Sequence, residues 1–201
     1  MTPLPDNLLE SVAAAAVREG LADALFTHVG TPIGRLLVVS GPNGILRIAF
    51  EREDHDADLA YVARHVGPRV LASDREMVAV RDAIEAYFAG DLAALDLPYD
   101  LRLVRSDFRR QALETLAREV GPGQVVTYGQ LAERTANPRA ARATGTACAT
   151  NPVPIVVPCH RVVPSTGGVG NYGGGPDLKV RLLEHEGVLV PTLPALRTPR
   201  S

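Results

Sequence analysis

Along the first hundred residues, the apolar positions recur at two different periods. ALFTHV (24–29), IGRLLVVS (33–40) and ILRIAFE (45–51) are short runs rich in β-branched residues, set apart by the turn formers GTPIG and SGPNG. That pattern predicts three antiparallel strands in a meander. Helical spacing follows over 56–66 and 73–89, the second stretch opening on a capping box, Ser73 with Glu76, and stopping at Gly90. Ahead of the strands, PDNLLESVAAAAVREG predicts a helix over 5–20. Asp6 is its expected N-cap and Gly20 its stop, with Leu8, Leu9, Val12 and Ala16 on one packing face.

Beyond residue 100 the period is mostly helical. From Ser106, SDFRRQALETLAREV places Phe108, Ala112, Leu116 and Val120 on one side. After the break GPGQ, Thr127 and Gln130 form a second capping box, so a short helix starts after Thr127. Asn137-Pro138 ends it and opens another helix, PRAARATGTACAT, with Asn137 as cap, which runs to Asn151-Pro152. VPIVV (153–157) reads as a strand, broken by Pro158. Two short helices joined by a tight turn, the second small-residued and carrying Arg139 and Arg142, have the shape of a helix-turn-helix. A plain helical hairpin accounts for the same spacing.

Composition narrows the class. Two cysteines without CxxC spacing support neither a disulfide framework nor a four-ligand zinc site. The N-terminus begins without Lys or Arg and carries Asp6 and Glu10 before its alanines, so no signal peptide is expected. No apolar run approaches the roughly 18 residues that a membrane span needs. These features fit a soluble, reduced, cytoplasmic protein with no membrane partner. Charge divides unevenly: residues 1–100 carry 8 Lys/Arg against 16 Asp/Glu, net −8, and residues 101–201 carry 13 against 7, net +6. A basic half on an acidic chain marks a surface for a polyanion.

Chemistry concentrates in IVVPCHRVVPS (155–165). Cys148 fits an inert core residue inside an alanine-rich helix. Cys159 differs, because it leaves a proline-marked break beside His160 and Arg161. A neighbouring cation lowers a thiol pKa, and the thiolate is the nucleophile. Adjacent side chains diverge, so His160 is expected to reach the Cys159 proton through a water. The imidazole then needs an acid to orient it, and Glu184 and Glu186 in LLEHEG, at the end of a helix from Pro176, are the candidates. STGGVGNYGGG (165–175) lacks the Lys-Ser/Thr of a P-loop and suits a mobile cover over a flat ring, with Tyr172 at its centre. His28, His55 and His65 have no paired acids or cysteines in sequence and are read as ordinary histidines.

NPVPIVVPCHRVV, with GNYGGG, LLEHEG, VVTYGQLA and NPRAARA, resembles the O6-alkylguanine-DNA alkyltransferases (methylated-DNA–protein-cysteine methyltransferases) closely over about residues 104–190. The first half resembles that family's ribonuclease-H-like domain in pattern alone. The resemblance implies an α/β fold: a small ribonuclease-H-like antiparallel sheet with helices, then a mostly helical domain holding a helix-turn-helix. It divides the chain into an appendage (1–22), the α/β domain (23–101), the alkyltransferase domain (102–192) and a tail (193–201).

It also implies roles. Cys159 would accept the alkyl group from O6 of a damaged guanine, stoichiometrically and irreversibly, with His160 as water-relayed base and Glu186 orienting His160. Asn151 would align the cysteine. Tyr128 would push on the target phosphate, Arg142 would fill the space left by the flipped base and Arg139 would contact phosphate. Tyr172 would donate toward the guanine, while the backbone of Val162 and Gly173 would line the pocket. The implied partner is double-stranded DNA carrying O6-alkylguanine, bound from the minor groove by a monomer, with O4-alkylthymine a second substrate and no metal or cofactor. Two departures stand out: Thr144, where many members carry an apolar residue, and Pro164, where several have a small one. A cysteine hydrolase and a DNA-binding regulator remain rival classes for the same residues.

Overall fold

The computed structural model describes residues 6–188, and the chain divides into two compact units between Leu103 and Val104. In the first unit, β1 (Ala24–Thr31), β2 (Gly34–Gly41) and β3 (Gly44–Ala49) form the expected antiparallel meander. A fourth strand, β4 (Val70–Ala72), pairs parallel with β1, so the sheet is mixed, in the order β3-β2-β1-β4, where the pattern predicts a purely antiparallel one. Three residues are too short to display an alternation, which is why the periodicity passes over β4.

Leu36, Leu37, Val38 and Val39 of β2 are all fully buried, so both faces of the sheet are covered at this strand. On one face, Leu37, Val39 and Leu46 pack with Val62 of α2 (His55–His65). The Asp54 side chain caps α2 by accepting from Ala57 N, and the basic Arg64 and His65 of its last turn suit its carbonyl end. His28 and His55 lie in this unit and hydrogen-bond to each other, Nε2 to Nδ1 at 3.2 Å.

Two helices depart from expectation. The stretch at 73–89 becomes turns followed by α3 (Val78–Phe88); Ser73 Oγ still accepts from Glu76 N, but it caps the turn rather than the helix. The first helix, α1 (Asp6–Arg18), does not seat the predicted face: Leu8 and Val12 are 45% and 51% exposed, and Ala13 is buried instead. A polar contact also ties α1 to the chain after β4. Glu10 accepts from Ser73 Oγ at 2.6 Å and from Asp74 N at 2.7 Å. The side chains of Asp6 and Leu9, and the predicted tail 193–201, lie outside the described residues.

In the second unit, α4 (Asp107–Glu119) is capped by Ser106 and buries Ala112, Leu113 and Leu116, with Val120 just past its end, while Phe108 is half-buried. The capping box at Thr127 and Gln130 is complete, opening α5 (Tyr128–Arg134). The predicted helix from Pro138 is divided: a 3-10 turn, Pro138–Ala140, precedes α6 (Ala141–Ala149), and Asn137 makes no capping bond through its side chain. Ala136 stands at φ 56°, in the left-handed region, so the chain enters this turn already reversed. The predicted strand 153–157 is also absent. Ile155 at φ 75° folds it into a closed turn, with a lone bridge between Pro154 and Val157. A strand appears later, β6 (Val162–Val163), parallel to β5 (Val126–Thr127), and α7 (Pro176–His185) completes the unit.

Gly44 opens β3 at φ +122°, and a Cβ there would lie 2.3 Å from Pro98 O, the acceptor of Ile45 N. Gly90, at φ +110°, has nothing within 4 Å. Gly44→Ala is therefore expected to cost more stability than Gly90→Ala, by roughly 1–3 kcal/mol. Urea denaturation of the two variants checks this; equal losses would mean that the backbone conformation, not the contact with Pro98, sets the cost.

Candidate active site

The site is assembled by a turn, a pair of short strands and one helix of the second unit. Cys159, His160 and Arg161 form a 3-10 turn and all three are buried. Asn151 ties this turn to the end of α6: its Nδ2 donates to Val157 O at 2.8 Å and to Cys159 Sγ at 3.1 Å, while its Oδ1 accepts from Val153 N at 3.0 Å. One amide side chain thus closes a loop of nine residues onto the sulfur. Pairing of β5 with β6 then places Tyr128, which follows β5, near Pro164, which follows β6. Gly170 passes this point so closely that a Cβ would sit 2.8 Å from Pro164 Cγ and 3.7 Å from Tyr128 Oη.

His160 is fully buried, and its Nε2 donates to Glu186 Oε1 at 2.9 Å. That bond fixes the tautomer, leaving Nδ1 with the lone pair; Nδ1 is buried without a partner among the described residues. Glu184 is exposed and Glu186 is buried at the end of α7, so of the two candidate acids it is Glu186 that meets the imidazole. Burial acts to raise the Glu186 carboxyl, but the bonds from His160 and Arg161 outweigh it and hold the group well below the carboxylate range. Burial also pulls His160 down from its ordinary value, against the opposing pull of Glu186.

The cation expected to lower the thiol is not the one that does so. Arg161 turns away to Glu186, with Nε on Oε2 and Nη2 on Oε1, both at 2.8 Å. The positive charge acting on Cys159 belongs to Lys179, whose fully buried Nζ donates to Val162 O at 2.6 Å. Burial nevertheless dominates and raises the Cys159 thiol above its usual value, despite the Asn151 bond and Lys179. Burial brings the Lys179 ammonium down to about 8, so it stays charged at neutral pH. Lys179 was missed in the sequence. The signal was its phase: Lys179, Leu182, Leu183 and Glu186 are spaced i, i+3, i+4, i+7 and all are buried.

Two adjoining hollows of about 520 and 600 Å³ share Tyr128, Arg142, Gly145 and Pro164 in their walls. Tyr172 and Gly173 line the larger one, and the Tyr172 ring stands edge-on to His160 at 6.4 Å. Burial pushes the Tyr128 hydroxyl up to about 12. Arg139, on the 3-10 turn, and Arg142, on α6, are exposed. Val162 is fully buried, and what it offers is its carbonyl. The two departures differ in place: Thr144 is buried and back-bonds to Ala140 O, whereas Pro164 walls both hollows. Among the described residues, no group of three His, Cys, Asp or Glu could hold a metal ion.

Two family models match the chain: the ribonuclease-like domain of 6-O-methylguanine DNA methyltransferase over residues 24–101, and its DNA binding domain over residues 107–188. The chain belongs to the 6-O-methylguanine DNA methyltransferase family. The methylated-DNA–protein-cysteine methyltransferase of Rattus norvegicus is 46% identical to this family member over 173 residues, covering 81% of this chain and 82% of the rat protein. That of Shigella flexneri is 39% identical over 168 residues, covering 81% and 95%. Among solved structures, the O6-methylguanine methyltransferase of Mycobacterium tuberculosis matches with a TM-score of 0.69 at 29% identity, covering 81% of this chain and 92% of that one. The Mycobacterium tuberculosis structure in complex with DNA matches at 0.67 and 30% identity, with the same coverage.

Lys179→Met removes the buried charge while keeping most of the side chain's length. In a Cys148→Ser background, the Cys159 thiol is then expected to titrate at higher pH. The pH dependence of its alkylation by iodoacetamide reads this, and an unmoved profile would show that the Lys179 charge does not reach the sulfur.

Proposed function

We propose that this methyltransferase repairs duplex DNA by taking the alkyl group of O6-alkylguanine onto Cys159, once per molecule. The observation that carries the reading is the buried line Cys159, His160 and Glu186, with the Nδ1 of His160 left open for a proton. The thiol rests protonated because it is buried, so attack needs the proton removed as the sulfur advances. A water passes that proton to His160 Nδ1, and Glu186 stabilises the imidazolium that results. Sγ displaces the guanine at the alkyl carbon: the C–O6 bond breaks, the S–C bond forms, and the purine leaves as its anion. The Tyr172 hydroxyl supplies hydrogen-bond donation to that anion. The thioether has no hydrolysable bond, so the cysteine is spent.

A base inside a duplex must be turned out to reach a buried sulfur, at a cost of a few kcal/mol. In this reading Tyr128 presses on the target phosphate, Arg142 enters the stack in place of the base, and Arg139 holds phosphate. The backbone of Val162 and Gly173 lines the base pocket. The small residues of α6 let the helix lie in the minor groove, where an inserted side chain can offset unstacking. The protein acts as a monomer in the cytoplasm, where the nucleophile stays reduced. A cysteine hydrolase would need turnover at Cys159 and has no use for exposed arginines on a helix-turn-helix.

Incubation with DNA containing O6-methylguanine is expected to add the mass of one methyl group to the peptide holding Cys159. Cys159→Ser is expected to abolish the gain, and Cys148→Ser to leave it nearly intact. Equal loss from both changes would remove Cys159 as the nucleophile.

Arg142→Ala separates DNA handling from chemistry. Repair of duplex is expected to fall by about 10–100-fold, in keeping with unstacking energies of a few kcal/mol. Reaction with the free base O6-benzylguanine, which needs no extrusion, is expected to stay near the parent rate. A parallel fall in both would overturn the wedge role.

A further inference from the structure

Arg161 is the charged group at the centre of the site that the reading above leaves without a task. It is 7% exposed, and three of its nitrogens are committed: Nε to Glu186 Oε2 and Nη2 to Glu186 Oε1, both at 2.8 Å, and Nη1 to Val120 O at 2.6 Å. Glu186 Oε1 therefore serves two donors at once, Arg161 Nη2 at 2.8 Å and His160 Nε2 at 2.9 Å.

The sharing changes what Glu186 does to the imidazole. A buried carboxylate facing a histidine alone favours the imidazolium strongly, since the ion pair forms where little else screens it. A ring that rests as imidazolium already carries a proton on Nδ1 and cannot accept the one from Cys159. A guanidinium fork on the same carboxylate opposes that pull. Arg keeps its proton at any working pH, matches both carboxylate oxygens, and adds a fixed positive charge beside the ring.

The other groups around His160 act in the same sense or are neutral. Lys179 of α7 is a second cation, anchored on Val162 O. Cys159 is a protonated thiol at rest, and Tyr172 of the glycine-rich loop presents its ring edge-on. Glu186 is the group that favours the charged ring, and burial with the two cations outweighs it.

We infer that Arg161 is a positioning residue that shares Glu186 with His160, so that the ring rests neutral, with its proton pinned on Nε2 and Nδ1 open as the base. The inference rests on the reading of Cys159 as nucleophile and His160 as its base. Arg161 touches neither substrate nor sulfur in this role; it acts through Glu186. During transfer the imidazolium exists only while the thiol proton is on it, and Glu186 has enough charge left to stabilise it for that time.

The test is the pH profile of alkyl transfer from free O6-benzylguanine, which leaves DNA out. In Arg161→Gln the fork and its charge are gone, so the limb on which the rate falls toward acid is expected to move up by about one pH unit. At a pH well below the limb this is about a tenfold loss of rate, recovered on raising the pH. Arg161→Lys keeps the charge with a single point contact, and its limb is expected to stay near the parent's. If both variants lose rate equally at every pH with the limb unmoved, Arg161 is a brace and the inference falls.

Nitrogen NMR of His160 in the unaltered protein gives a second reading that needs no folded variant. A neutral ring protonated at Nε2 at pH 7 is expected, and an imidazolium there would overturn the inference. In each case the label is located by mass. Transfer to Cys159 with an unmoved limb counts against Arg161 alone, whereas a label elsewhere counts against the proposed function itself.

Discussion

The buried carboxylate of Glu186 is the charge around which the second unit is arranged. An isolated carboxylate in such a place would simply take up a proton, and here hydrogen bonds from His160 and Arg161 prevent it. His160 and both faces of the Arg161 fork hold it, and Arg161 in turn is held on Val120 O, at the end of α4. The end of α7, the 3-10 turn with the cysteine and the end of α4 are thereby fixed to one point. Removing either partner would leave a charge uncompensated in the interior, which is far costlier than the pair is worth in stability. Such a cluster makes sense as a device for geometry rather than for holding the chain folded.

The same burial explains why the cysteine is quiet at rest. A thiol in apolar surroundings titrates high, and neither the Asn151 amide nor the Lys179 cation fully reverses this. In the proposed mechanism, reactivity depends on a proton path instead of on a standing thiolate. Lys179 contributes field without occupying a hydrogen-bond position on the sulfur, since its Nζ is held on the Val162 carbonyl.

How much could be read in advance followed from how local each feature is. The meander, the capping box at Thr127 and the α5–α6 pair were legible because their signals lie within a few neighbouring residues. The family and fold class were legible from contiguous motifs. Cys159, His160 and Asn151 stand within one ten-residue stretch, so their nearness was apparent before any coordinates. What escaped depended on distant pairing. The strands β4, β5 and β6 are two or three residues long and exist through their partners. VPIVV has strand-like composition, but an αL residue at Ile155 and the Asn151 amide override it. On α1, Leu8 and Val12 of the predicted apolar face are exposed, and Glu10 supplies a polar clasp to Ser73 and Asp74 that periodicity does not show.

The two halves of the proposed reactive machinery close over very different lengths of chain. Asn151 reaches Cys159 across eight positions, whereas His160 meets Glu186 across twenty-six. Short loops close faster and with less entropy lost than long ones. The contact that aligns the sulfur therefore closes independently of the one that brings Glu186 to His160. Under the proposed mechanism, the base gains the acid behind it only once α7 is docked. In the proposed mechanism a change confined to the end of α7 would thus disarm the sulfur without displacing it, since alignment and activation are carried by separate contacts.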